Sequence, residues 1–181
     1  MAASLKLGAQ AVAIAFVAAL LFVLVWRVTH QAPPPKVGGP APGFTLRRLD
    51  GSGSISLASF RGKTVVLNFW QSFCFGCKSE SAVLERLWQK ERGDGVVVLG
   101  IDSLDSTSDA RRFVRAHGIT YPIVSDPEGL VAANRYDIAY LPVTYVIDRS
   151  GRIIGGRVLG PISDHTLGAE FSRYLDAART S

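Results

Sequence analysis

The stretch "TVVLNFWQSFCFGCKSE", Thr64 to Glu80, carries the chain's only two cysteines, Cys74 and Cys77, at C-x-x-C spacing. Its first seven residues, Thr64 to Trp70, form a continuous β-branched and aromatic run, the pattern of a strand buried on both faces. Beyond the cysteines, Val83, Leu84, Leu87 and Trp88 recur at helical spacing, with Glu85, Arg86, Lys90 and Glu91 on the other side. A central strand therefore delivers the chain to Cys74, and Cys77 falls in the first turn of an amphipathic helix.

Working outward, the flanking elements repeat this alternation. Upstream, "FTLRRLDGSGSISL" places two half-apolar runs around Asp50–Gly53, the composition of a hairpin turn. Downstream, "GVVVLGID", Gly95 to Asp102, predicts a second buried strand. Ser106 or Ser108 can cap a helix reaching about His117, where Gly118 stops it. "YPIVSD" reads as a short strand and "PEGLVAANRY" as a short helix. "VTYVIDRSGRIIGGRV" reads as two strands around a turn at Asp148 to Gly151, and Ser163 can cap a last helix with Leu167, Phe171 and Leu175 on one stripe. Strands alternating with helices and closing on a hairpin predict an α/β sandwich with a mixed sheet.

A thiol must ionise to act as a nucleophile. A helix amino terminus favours the thiolate through free backbone N–H groups and the positive end of the peptide dipoles. Cys74, just ahead of the helix, occupies that position, and Cys77 lies one turn on, within reach of a mixed disulfide formed at Cys74. Two other readings compete. A structural zinc site needs about four nitrogen or sulfur ligands, and the chain has no further cysteine and only three scattered histidines, His30, His117 and His165. The cysteines could also be inert, small apolar fillers of a core. No cofactor and no metal is expected.

The composition, 48% hydrophobic and 19% charged over 181 residues, suits one domain with a sizeable core. Of the 20 basic residues, Lys6, Arg27 and Lys36 precede that domain, which leaves it about +2 against 15 acidic residues. Its charges are scattered, which argues against a nucleic-acid groove. The first thirty residues differ in kind. Leu7 to Trp26 carries no charge and one amide, Gln10, and as a helix would span roughly 30 Å, the thickness of a bilayer's hydrocarbon core. The rival is a cleaved secretory signal, but no small-residue cleavage site follows the apolar run. The expected organisation is an anchor over 1–30, a semi-rigid Pro/Gly-rich spacer over 31–42 and a domain over 43–181. Lysine and arginine flank both ends of the apolar run, so the positive-inside bias does not orient it.

"APGFTLRRLDGSGSISLASFRGKTVVLNFWQSFCFGCKSE" resembles the opening of membrane-anchored thioredoxin-like proteins of the TlpA, ResA and CcmG type, and "YPIVSDPEGLVAANRYDIAYLPVTYVIDRSGRII" resembles their later half. The resemblance covers roughly Ala41 to Ala178. It implies a thioredoxin-like fold with an N-terminal β-hairpin extension, preceded by one transmembrane helix. It also implies a single-pass protein whose domain lies outside the cytoplasmic membrane and exchanges disulfides with other proteins. Apocytochrome c is among the implied clients, and a CcdA-like or DsbD-like membrane protein is the implied electron donor.

By position, Cys74 matches the family's attacking cysteine and Cys77 the resolving one. Pro142, after Leu141, matches its cis-proline beside the disulfide, where an extended substrate docks. Glu80 matches an acid that modulates thiol ionisation in the ResA branch; the alternative is a solvated carboxylate in a first helical turn. Asn68 stands where cytoplasmic thioredoxins carry a buried aspartate. Trp70 and Phe73 match aromatics flanking the site, expected to be part core and part docking surface. Phe75-Gly76 departs from the pattern, because the family usually has proline or another stiff residue before the second cysteine. Glycine loosens that turn, and Phe75 is expected to serve as an apolar contact for a partner. Two other functions compete. A peroxiredoxin would carry threonine or serine three residues before its reactive cysteine, where this chain has Gln71. A copper-handling relative of Sco proteins would need C-x-x-x-C, one residue longer than the spacing here; a redox-dead adaptor falls in the same non-catalytic class.

Overall fold

The structure, a computed structural model, describes residues 2–29, 34–163 and 171–180. It divides into two compact units, Met1–Pro33 and Pro34–Ser181.

The first unit is one helix, α1 (Ala2–Thr29). Val12, Ile14, Phe16, Leu20, Phe22, Leu24 and Trp26 are all more than half exposed along it, with no polar face to set against them. Among the described residues, no helix is long and apolar enough to cross a membrane.

The second unit is built on a seven-stranded mixed sheet in the order β2-β1-β5-β4-β3-β6-β7. The strands are β1 (Thr45–Arg48), β2 (Ser54–Ser56), β3 (Thr64–Trp70), β4 (Val96–Ser103), β5 (Ile123–Asp126), β6 (Val143–Ile147) and β7 (Ile153–Leu159). The central strands β3, β4 and β5 are parallel; β6 and β7 continue the sheet antiparallel on one side, and the β1–β2 hairpin on the other. Every residue of β3 and β4 is buried, as their mostly apolar, β-branched composition predicts for strands covered on both faces.

Helices α2 (Phe75–Glu91), α3 (Thr107–Ala116) and α5 (Ser172–Thr180) cover one face through Leu84, Leu87, Phe113 and Leu175, while α4 (Leu130–Tyr136) contributes Val131 and Tyr136 to the other. Ser106 caps α3 by accepting the Asp109 N–H at 3.1 Å. The expected Ser163 cap cannot be followed, because 164–170 lie outside the described residues.

The segment expected to be a spacer is shorter than composition suggests. Gly38 N–H donates to Ile153 O at 2.8 Å, Ile153 N–H to Gly39 O at 2.9 Å and Ala41 N–H to Gly151 O at 2.9 Å. Residues 38–41 are thus fastened to the edge strand β7. Composition registers side chains to bury, whereas this attachment is made by backbone groups satisfying an open sheet edge.

Candidate active site

β3 ends at Trp70, and the chain turns through Gln71–Phe73 into α2, with Cys74 as its N-cap residue. The Cys74 Sγ accepts the Cys77 N–H at 3.1 Å, so the first turn's free amide points at that sulfur. Cys74 and Cys77 are joined as a disulfide, with Cα atoms 5.2 Å apart. Cys77 is buried and Cys74 half-buried, so the sulfur a partner can reach belongs to Cys74.

Leu141–Pro142 is a cis peptide at the head of β6, and it abuts the disulfide turn. A Cβ built on Gly76 would stand 3.1 Å from Pro142 Cδ and 3.6 Å from Pro161 Cδ. Glycine at 76 therefore spares the Pro142 ring a tight Cβ contact, while the Pro161 ring lies at ordinary contact distance on the same turn. This accounts for the departure at Phe75-Gly76: a proline-bounded slot takes the place of a stiff residue.

Beneath the disulfide sits Glu80, 1% exposed and one turn beyond Cys77. Its Oε1 accepts from Asn68 Nδ2 at 2.8 Å and its Oε2 from Ile162 N–H at 2.9 Å. Burial lifts its carboxyl to about 7, because desolvation outweighs these two bonds, which favour the anion. Of the two readings for Glu80, the solvated carboxylate is excluded. Asn68 also donates to Thr144 Oγ1 at 2.9 Å across the β3–β6 pair. Thr144, two residues after Pro142, thereby orients the amide that holds the acid.

The aromatics separate. Phe73 and Phe75 are 71% and 86% exposed, and Tyr140, which the sequence reading passed over, is 83% exposed beside Leu141. Leu141 is half-buried and packs against both cores. Trp70 corrects an expectation: it is 2% exposed and stacked on Phe113 with ring centroids 4.9 Å apart, so it is core and offers no docking surface. It lies on the helix-covered face of a central strand, which leaves a large indole nowhere to go but inward.

A second group of acids also escaped the sequence reading. Asp102 at the end of β4 is fully buried, and Asp105 just after it accepts the Ser72 N–H at 2.6 Å. The available signal was an aspartate closing an otherwise apolar parallel strand, "VVVLGID", at the strand end where such sheets place their chemistry. Among the described residues, no group of three or more His, Cys, Asp or Glu side chains is arranged to hold a metal ion.

Residues 37–155 match the sequence pattern of the AhpC/TSA family. The chain belongs to that family. Thiol-disulfide oxidoreductase ResA from Geobacillus kaustophilus is 30% identical over 143 residues, covering 79% of this chain and 81% of that protein. The ResA of Geobacillus thermodenitrificans is 34% identical over 117 residues, 65% of this chain and 66% of that one. Among solved structures, a DsbF homologue from Corynebacterium diphtheriae superposes with a TM-score of 0.66 at 32% identity, covering 77% of this chain and 86% of that one. A thiol:disulfide interchange protein of the thioredoxin family from Chlorobium tepidum does so at 0.66 and 28%, covering 82% and 98%. The fold of the second unit is thus thioredoxin-like, as the resemblance implied.

Proposed function

We propose that this family member is a thiol-disulfide oxidoreductase that reduces disulfides in other proteins outside the cytoplasmic membrane, tethered there by a helix through residues 7–26. The observation that carries the reading is Cys74 at the N-cap of α2, half-exposed and receiving the Cys77 amide, with its disulfide partner buried behind it. In the reduced form, the Cys74 thiolate attacks one sulfur of a client disulfide. A mixed disulfide forms and one client thiolate leaves. The Cys77 thiolate then attacks Cys74 Sγ, the second client thiolate departs, and the Cys74–Cys77 disulfide of this structure results. Glu80, buried one turn from Cys77 and titrating near neutrality, is suited to take the Cys77 proton in that second step.

Support for the tether is the uncharged run Leu7–Trp26 and the apolar side chains that α1 exposes. In an oxidising compartment a tethered dithiol is useful as a local reductant, which calls for electrons from a membrane donor of CcdA-like or DsbD-like type. Apocytochrome c before haem attachment is the client class that fits this arrangement. Phe73, Phe75, Leu141 and Pro142 are the proposed client contacts.

The test is Cys77→Ser in cells. Removing the resolving thiol leaves Cys74 linked to whatever it attacks, and cytochrome c precursors are the expected capture. No trapped protein, together with peroxide consumption that depends on Cys74 alone, would replace the reading with a peroxidase.

A further inference from the structure

The loop that presents Cys74 is held from below by an acid outside the exchange chemistry. Asp105 Oδ2 accepts the Ser72 N–H at 2.6 Å, and its Oδ1 accepts the Ser106 N–H at 2.7 Å. One carboxylate thus pins the approach to α2, two residues ahead of Cys74, to the start of α3. Behind it stands Asp102, 0% exposed, in register with Trp70 on β3 and Ser125 on β5. Neither Asp102 oxygen makes a hydrogen bond of ordinary geometry within the described residues, the side chains of Asp105 and Ser125 engaging it only at looser geometry. A carboxyl without a well-formed hydrogen bond in such a place is costly unless it keeps its proton. Its charged neighbours are Asp105, from the loop after β4, and Asp126, from β5. No cation is among them.

The geometry points to Asp105 as a positioning residue for Cys74, with Asp102 as the proton-carrying group that decides whether this clasp stays closed. With Asp102 neutral, Asp105 keeps both amides. When Asp102 ionises, two neighbouring carboxylates repel inside the fold, the Ser72 amide is released, and the turn that directs the Cys77 N–H at Cys74 Sγ loosens. The thiolate of the reduced form is then less well held. Desolvation first, then the charge of Asp105, pushes the Asp102 carboxyl up to about 8, which places this opening just above neutral pH. The inference rests on the exchange reaction proposed above, but its first readout does not.

That readout is the Ser72 amide proton, followed by nuclear magnetic resonance in the full-length protein in detergent between pH 6 and 9. Its shift is expected to titrate with a midpoint near 8, and to stay flat in Asp102→Asn, which keeps the shape and cannot ionise. The second readout is the reduction potential of the Cys74–Cys77 pair in glutathione buffers over the same range. The native protein and Asp102→Asn should agree below pH 7, and the native pair should become the more reducing above pH 8. Asp105→Ala should slow exchange by roughly tenfold below pH 7, the worth of one charge-assisted hydrogen bond, and progressively less above pH 8, where the native clasp is already open; Asp105→Asn, which keeps one acceptor oxygen for two amides, should recover part of the loss below pH 7. A flat Ser72 shift in the native protein overturns the clasp, as do identical potentials for the native protein and Asp102→Asn throughout. A Ser72 titration in a protein that exchanges with no disulfide would uphold the clasp and reject the oxidoreductase reading.

Discussion

Replacing Glu80 by glutamine should remove a large pH dependence of stability from the oxidised protein. In the fold this carboxyl is 1% exposed and raised from 4.5 to about 7, burial outweighing the bonds from Ile162 and Asn68. A group whose folded value lies above its unfolded value makes the folded state bind more protons than the unfolded chain. Stability is then fullest below the unfolded value and declines as pH rises through the folded one. The relevant window runs from about pH 4.5 to about pH 7. At about 1.4 kcal/mol per unit, the displacement corresponds to about 3 kcal/mol, a sizeable part of the 5–15 kcal/mol typical of a whole domain.

The assay is guanidinium unfolding of the full chain at half-unit steps from pH 4 to pH 8.5, native beside Glu80→Gln. Glutamine offers one acceptor where the carboxylate offers two, and the Asn68 and Ile162 donors both need one. The variant therefore starts lower at acid pH, and only the difference in slope is diagnostic. The native curve should fall by about 3 kcal/mol relative to the variant across the window. Asp102 contributes equally to both curves and cancels. Parallel curves would refute the placement of a neutral-titrating acid under the disulfide.

Three further outcomes follow from the same contacts. Asn68→Ala leaves Glu80 Oε1 and Thr144 Oγ1 without their donor; thermal melting should show a loss of about 1–3 kcal/mol, and the midpoint of the pH dependence should move upward because a bond favouring the anion is gone. Trp70→Ala empties a site stacked on Phe113 in the core, and a loss of about 3–5 kcal/mol by chemical denaturation is expected. Phe75→Ser, at a position 86% exposed, should leave stability within about 0.5 kcal/mol, while reducing the protein captured by Cys77→Ser; unchanged capture would remove Phe75 from the client surface.

The fold was legible where side-chain pattern decides structure. The doubly buried β3 and β4, the amphipathic α2 and the Asp50–Gly53 turn each carry a period or a turn composition that burial enforces. Cys74 at a helix start was likewise readable, because the period changes at that residue. What could not be read depends on groups brought together from distant positions. Glu80 gains its elevated carboxyl only because Ile162 and Asn68 close over it from other elements, and alone in a first turn it looks like any solvated acid. Asp102 stands near the end of an apolar strand whose next segment looks polar, and nothing local shows that β3 and β5 flank it on both sides. Trp70 read as part core and part docking surface because sequence proximity to the cysteines does not say which face of a strand a side chain takes.

The glycine at 76 gives the sharpest test of how the site is stiffened. Within the helix it is the least rigid residue available, at a cost of about 1 kcal/mol against alanine, yet the turn it belongs to must keep the Cys77 amide on Cys74 Sγ. The structure supplies rigidity from outside. Pro142 and Pro161 flank Gly76, and Pro161 is itself held because Gly160 N–H donates to Pro142 O at 3.0 Å and Ile162 N–H to Glu80. Stiffness that a proline before the second cysteine would build into the turn is thereby transferred to a clamp around it. Pro161→Ala should free one side of that clamp without touching either cysteine. Hydrogen exchange at the Cys77 amide of the oxidised protein should then quicken several-fold, the effect of losing roughly 1 kcal/mol of local protection. An unchanged exchange rate would mean that the disulfide alone holds the turn, and that Gly76 has no mechanical part in it.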